Sequence, residues 1–205
     1  MNKNEKRRIG IFAGSFDPVH KGHIGFACSA LKSANLDAVY FLPEAQPRHK
    51  SGVTHLGHRI SMLKLATRPY RHMHVLDLPD KRFTVSTTLP RLRLKFPNAE
   101  LLLLVGSDVL ANLHRWPNLE GLLDQVGLVI SIRRGAEITQ AMGDATNLPR
   151  VLRELHIVES LEPSMSSRQI RQLLRAGHKS KDTLESVNLY ILKNWLYASI
   201  PDSTA

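Results

Sequence analysis

Ile9-Gly10-Ile11-Phe12-Ala13-Gly14-Ser15-Phe16-Asp17-Pro18-Val19-His20-Lys21-Gly22-His23-Ile24-Gly25 is the stretch on which the fold of this chain turns. Ile9, Ile11 and Phe12 form a short apolar run suited to a buried strand. Gly14 to Pro18 is turn chemistry. His20 and His23 follow at the predicted first turn of a helix, where a spacing of three puts them on one face. A helix start presents unpaired backbone N–H groups and a partial positive charge, so it favours an anion. Strand, turn and helix in this order, with two imidazoles at the helix start, predict a phosphate-handling site.

The pattern continues outward from there. Ile24 to Ala34 reads as the rest of that helix, with Asn35 as its cap. Asp37 to Pro43 is a second strand, followed by a polar loop from Glu44 to Val53. Thr54 is placed to cap a helix that Pro69 stops. His72 to Leu78 reads as a third strand by alternation, and Thr84 to Phe96 as a helix with Pro90 in its first turn. Glu100 to Val105 is a continuous apolar run of the kind found in parallel strands covered on both faces, and it ends in Gly106-Ser107-Asp108. Two short helices around Trp116-Pro117 precede another central strand, Gly127 to Ile132. The segment Ala136 to Arg150 carries Gly143, Asp144, Asn147 and Pro149 and reads as loop with some helix. A short strand, Leu155 to Glu159, and helices over 166–176 and 183–196 complete the pattern.

Strands alternating with helices predict an α/β fold with a doubly wound parallel sheet of about five or six strands. Ligands of such sheets bind at the carboxyl ends of the strands. The polar signals fall at those ends: Gly14 to His23, Pro43 to Lys50, Gly106 to Asp108, and Arg133-Arg134. No repeat or linker interrupts the pattern, so a single domain over 1–205 is expected, with 166–197 part of it and 200–205 disordered.

A length of 205 residues is enough for one substantial core. The net charge of +10 fits nucleotide phosphates, nucleic acid or a merely solubilising basic surface, and does not separate them. Cys28 is the only cysteine, so no internal disulfide forms, and its place in the apolar helix predicts a buried thiol in a reducing compartment. No apolar run approaches the ~20 residues of a membrane span, and no apolar signal region precedes the first strand. The expected location is the cytoplasm.

Two common nucleotide motifs are missing: there is no Gly-x-Gly-x-x-Gly after the first strand and no Gly-Lys-Ser/Thr. His-x-Gly-His occurs twice, at His20–His23 and His55–His58. Only the first copy follows a strand and a Gly-Ser-Phe-Asp-Pro turn. The second reads as a solvated helix entrance. A zinc site at His20 and His23 needs a third ligand, and neither Cys28 nor the other histidines supply a matching spacing.

Gly14-Ser-Phe-Asp-Pro-Val-His-Lys-Gly-His23 resembles the signature of the HxGH nucleotidyltransferase superfamily. Ser166-Ser167-Arg168-Gln169-Ile170-Arg171 resembles its second landmark, a Ser-Ser-Thr-x-Ile-Arg segment opening a helix. Pro47-Arg48-His49-Lys50, Arg59 with Met62-Leu63, Phe83-Thr84-Val85, Gly106-Ser107-Asp108, Trp116, Arg133-Arg134 and Val187 to Tyr197 resemble one branch, the bacterial nicotinate mononucleotide adenylyltransferases. The resemblance spans nearly the whole chain and implies a Rossmann-like nucleotidyltransferase fold with a helical C-terminal segment.

It also implies adenylyl transfer from ATP to nicotinate mononucleotide, giving deamido-NAD and pyrophosphate. Such a reaction needs two polyanions held in line and charge stabilised on the transferring group. The implied catalytic residues are His20, His23 and Lys50. The implied ATP site is Gly14, Ser15, Phe16, His20, His23, Gly106, Asp108, Ser166, Ser167 and Arg171. Phe83, Thr84, Trp116 and Arg133 are the implied acceptor contacts. Apart from the family, Trp116 and Phe83 read sooner as core aromatics, and Arg133 and Arg134 read equally as phosphate contacts or solvated strand-end charges. Mg²⁺ is expected with ATP, bridging phosphate oxygens with few protein ligands. No membrane is expected as a partner, RNA binding lacks an aromatic-interleaved stretch, and a homo-oligomer is compatible with the sequence.

The chain departs from the family at four places. Arg168 replaces a threonine, Glu44 an asparagine, Arg48 a proline, and Phe83-Thr84-Val85-Ser86-Thr87 a Tyr-Thr-x-Asp-Thr segment. Three of these lie on the acceptor side or in the loop beside it, so nicotinamide mononucleotide or another phosphorylated acceptor is the alternative. A non-catalytic nucleotide or nucleic-acid binding protein is the second.

Overall fold

The computed structural model describes residues 6–48, 50–132, 136–148, 152–160 and 166–198. His49, Arg133, Arg134 and the expected disordered tail 200–205 lie outside the described residues. Six strands form one all-parallel sheet: β1 (Arg8–Gly14), β2 (Ala38–Pro43), β3 (Met73–Val75), β4 (Glu100–Gly106), β5 (Val126–Ile132) and β6 (Leu155–Glu159). Their order is β3-β2-β1-β4-β5-β6. The chain therefore runs outward from β1 to one edge, returns to the centre, and runs outward through β4 to the other. The crevice between β1 and β4 is the switch point at which such sheets bind ligands.

Strand β4 shows why the sheet is covered on both faces. Leu101, Leu103 and Val105 belong to one core layer, with Leu89, Leu92 and Leu122. Leu102 and Leu104 belong to the other, with Ala27, Ala30, Met62, Leu63, Val187 and Ile191. Successive side chains of a strand point to opposite faces, so an unbroken leucine run feeds both layers.

The helices are α1 (Lys21–Ser33), α2 (Leu56–Thr67), α3 (Thr88–Lys95), α4 (Ser107–Leu110), α5 (Leu119–Leu123), α6 (Ala136–Thr146), α7 (Ser167–Arg175) and α8 (Glu185–Lys193). A 3₁₀ turn spans Leu113–Arg115. Several boundaries differ from those read off the residues. Helix α2 is capped by His55, whose imidazole accepts from Gly57 N–H, and not by Thr54. The third strand is only three residues long, as befits a sheet edge. Helix α3 starts at Thr88 because Thr84 C=O takes the N–H groups of Thr88 and Leu89, which leaves Pro90 in the first turn.

The segment read as mostly loop holds an eleven-residue helix, α6. Ala141 and Ala145, one turn apart, are buried there, so packing outweighs the ~1 kcal/mol that Gly143 costs a helix. The Cys28 thiol is partly exposed rather than buried, and desolvation still raises its pKa.

Candidate active site

The motif strand ends at Gly14, and the chain then makes an unusual inward step. Phe16 takes a left-handed φ of 48°, a strained choice for a residue with a Cβ. Packing holds it there. Its ring, 1% exposed, meets His23, Phe12 and Phe41 edge-on at centroid distances of 5.1, 5.2 and 5.5 Å. The turn brings His20 to the N-cap of α1 and His23 to the third helical position.

The two imidazoles lie against each other, tilted by 33°, with centroids 3.7 Å apart. The main-chain N–H of His20 donates to His23 Nδ1 at 3.2 Å. An accepting Nδ1 leaves the proton of neutral His23 on Nε2, free to donate. Burial lowers the His20 pKa to about 4. Burial, with His20 and Lys50 alongside, holds His23 well below its ordinary value. Both rings are therefore neutral donors at physiological pH. His20 Nδ1 is buried and lacks a hydrogen-bond partner among the described residues.

Both histidines line a cleft of about 780 Å³ at the switch point, between the ends of β1 and β4. Gly14, Ser15, Phe16, Lys50, Gly106, Asp108 and Trp116 line it too. Lys50 Nζ donates to Ser15 Oγ at 2.8 Å, so the loop after β2 places a cation beside the motif turn. Asp108, exposed at the start of α4, sits so close to Gly106 that a Cβ there would meet its Oδ1 at 2.6 Å. The carboxylate's position thus depends on glycine at 106.

The C-terminal segment reaches the same turn by another route. Ser166 caps α7 through its Oγ, which accepts from Gln169 N–H. Ser167 Oγ donates to Pro18 C=O at 3.0 Å, and Arg171 donates to Asp17 C=O at 2.6 Å. These side chains grip the motif turn from behind. None of Ser166, Ser167 and Arg171 is among the described residues lining the cleft. On the acceptor side, Trp116 lines the cleft but Phe83 does not. Phe83 is 2% exposed and packs against Trp116 at 5.9 Å. Thr84 Oγ1 pairs with Thr87 Oγ1 at 2.6 Å at the head of α3, also outside the lining.

Two residues matter more than their sequence roles imply. Arg59 is 1% exposed, and its guanidinium donates to the carbonyls of Thr54, Ser15, Glu44 and Ala45 at 2.7 to 3.4 Å. It ties the motif turn to the loop after β2. Burial lowers its pKa, with Asp17, Tyr197 and Glu44 opposing. An arginine one turn before Met62-Leu63 on an apolar stripe is the sequence signal for such a buried cation. Asp17, read as a turn former, is 4% exposed. Its carboxylate accepts from Tyr197 Oη at 2.6 Å and Thr54 N–H at 3.3 Å. That long-range pair leaves no local pattern to read.

A cytidylyltransferase-like family profile matches residues 11–173. Proteins of Bacillus anthracis and Bacillus thuringiensis, each named "Probable nicotinate-nucleotide adenylyltransferase", are 34% identical over 204 residues, covering 94% of this chain and all of theirs. Among solved structures, the Plasmodium falciparum nicotinic acid mononucleotide adenylyltransferase complexed with NaAD superposes with a TM-score of 0.72 at 19% identity. That match covers 93% of this chain and 97% of the other, and it supports the fold. The motif turn at the switch point, the paired imidazoles and this likeness agree: the chain belongs to the cytidylyltransferase-like nucleotidyltransferases, in the branch of the nicotinate-nucleotide adenylyltransferases.

Proposed function

We propose that the protein transfers the adenylyl group of ATP to nicotinate mononucleotide, forming deamido-NAD and pyrophosphate as a step of NAD synthesis. A phosphate oxygen of the acceptor attacks the α-phosphorus of ATP, and the bond from that phosphorus to the bridging oxygen of the β-phosphate breaks. The observation that carries this reading is the stacked neutral pair His20 and His23 at the start of α1, in the switch-point cleft. Neutral N–H donors fixed in a partly dry site stabilise charge developing on the α-phosphate oxygens. Lys50 supplies a point charge beside them. Gly14, Ser15 and Phe16 present the turn against the nucleotide, and Gly106 and Asp108 form the opposite strand end.

Ser167 and Arg171 hold that turn in place, and Ser166 caps α7, whose N-terminus is assigned to the outer phosphates in this reading. Trp116 offers the acceptor ring a stacking surface, with the 83–84 segment beside it. Arg133, which lies outside the described residues, remains in this reading as an acceptor contact.

Mg²⁺ fits this donor set only as a passenger of the phosphates. Among the described residues no group of three or more His, Cys, Asp or Glu is arranged to hold a metal. Magnesium keeps several waters and takes one or two carboxylates with substrate phosphates, and Asp108 is the exposed carboxylate at the nucleotide end. When bound it neutralises phosphate charge.

A single domain in the cytoplasm is the proposed setting. Its supports are one continuous sheet and the fact that no described helix is long and apolar enough to cross a membrane.

The test is pyrophosphate release from ATP with nicotinate mononucleotide. His20→Ala should lower kcat by 10²-fold or more while changing the KM for ATP severalfold at most. An unchanged kcat overturns the assignment of His20, and no turnover by the native protein overturns the reaction.

A further inference from the structure

Three of the four departures from the family meet at one main-chain unit, Phe83, which opens one of them. Phe83 N–H donates to Glu44 Oε1 at 2.8 Å, and Phe83 C=O accepts from Arg48 at 3.2 Å. The next main-chain donor, Thr84 N–H, is taken by Thr88 Oγ1 at 3.0 Å. The main-chain donors of Phe83 and Thr84, beside Trp116, are thus both taken by side chains. The donors of Arg48 are not all taken. A guanidinium carries five N–H donors, and the described residues take one of them, over a long bond. Its Cζ lies over the Trp116 ring, 5.2 Å from the centroid, and Arg48 lines the cleft.

A planar ring entering beside Trp116 therefore comes against a half-buried guanidinium with unspent donors. We propose that Arg48 is the residue that selects an anionic acceptor ring: its fork pairs with a carboxylate on a heteroaromatic ring stacked at Trp116. The pairing is planar on both sides, which suits guanidinium to carboxylate and gives no comparable bond to an uncharged carboxamide. Glu44, turned to Phe83 N–H, holds the segment that Arg48 leans on. The proposal rests on the adenylyl-transfer reading and adds to it how the acceptor is chosen.

The experiment compares nicotinate mononucleotide with nicotinamide mononucleotide, an acid and its amide, at saturating ATP. Native protein should favour the acid. Arg48→Ala should lower kcat/KM for the acid by about ten- to a hundredfold, mostly through KM, and change it less than threefold for the amide. Arg48→Lys should restore part of the preference, because it keeps the charge without the fork. Arg115→Ala, which removes a neighbouring cleft cation, should leave the acid-to-amide ratio within twofold. Equal losses for both acceptors in Arg48→Ala, with an unchanged thermal melt, overturn the proposal. So does a ratio that collapses in Arg115→Ala instead, or a native preference for the amide. Arg48→Gln carries the same comparison should the alanine variant not fold. Absence of turnover with either acceptor refutes the transfer reaction itself, a result distinct from turnover with an unaltered ratio.

Discussion

His20 shows how burial sets both chemistry and stability at a single side chain. Its folded pKa of about 4 lies below the ordinary 6.5. Between those values the unfolded chain binds a proton that the folded chain refuses. Stability attributable to this ring is thus full above pH 6.5 and falls as the pH drops towards 4, by about 3 kcal/mol in total. Urea midpoints of native protein and His20→Gln, compared across this range, should converge as the pH falls. Parallel curves would show that the ring is not held neutral. The same burial implies that kcat/KM for ATP shows no inflection near pH 6.5 from this imidazole. The motif turn and the placing of His20 and His23 at a helix start were legible because the strand, turn and helix signals around them are local. The roles of Arg59 and Asp17 were not, because all but one of the partners given above lie 14 to 180 residues away.

At the scale of elements, the motif turn is a junction. Arg59 binds it to the loop after β2, and α7 and Tyr197 bind it from the C-terminal side. Removing Arg59 leaves several carbonyls unpaired in a dry place, so Arg59→Met should cost about 3 kcal/mol or more in chemical unfolding. Tyr197→Phe deletes one hydroxyl and should cost about 1 kcal/mol, with a severalfold fall in kcat as Asp17 loosens. A fall in stability without a fall in kcat would confine Tyr197 to folding. Helix α6 and the boundaries of α3 and β3 were the least legible elements. Gly143, Asp144 and Asn147 read as breakers, and only burial of Ala141 and Ala145 reveals the helix.

Across the whole molecule, an ion-pair cluster lies at the end of the sheet opposite the cleft. At the amino ends of the strands, Arg8 of β1 pairs with Glu100 at 2.6 Å and with Glu154 at 2.5 Å, and His156 joins Glu154 at 2.5 Å. Desolvation would raise the Glu154 pKa, but hydrogen bonds from Arg8 and His156 lower it on balance. Arg8→Ala should lower the thermal midpoint, at a cost of about 1–2 kcal/mol, and leave kcat unchanged. A changed kcat would mean that the two ends are coupled. The alternation of apolar runs made the layered architecture legible from the residues. The strand order was not, because register and crossover depend on which faces meet.

The strand order also has a consequence for synthesis. Strand β1 emerges from the ribosome before the other strands of its sheet, yet one of its two sheet partners is β4, at 100–106, and its turn is clasped by residues 167–197. Contacts this distant in sequence close late and slowly. The strand made before the others is therefore among the last to acquire its working shape, and a nascent chain carries an unbraced motif turn until residues 167–197 are made.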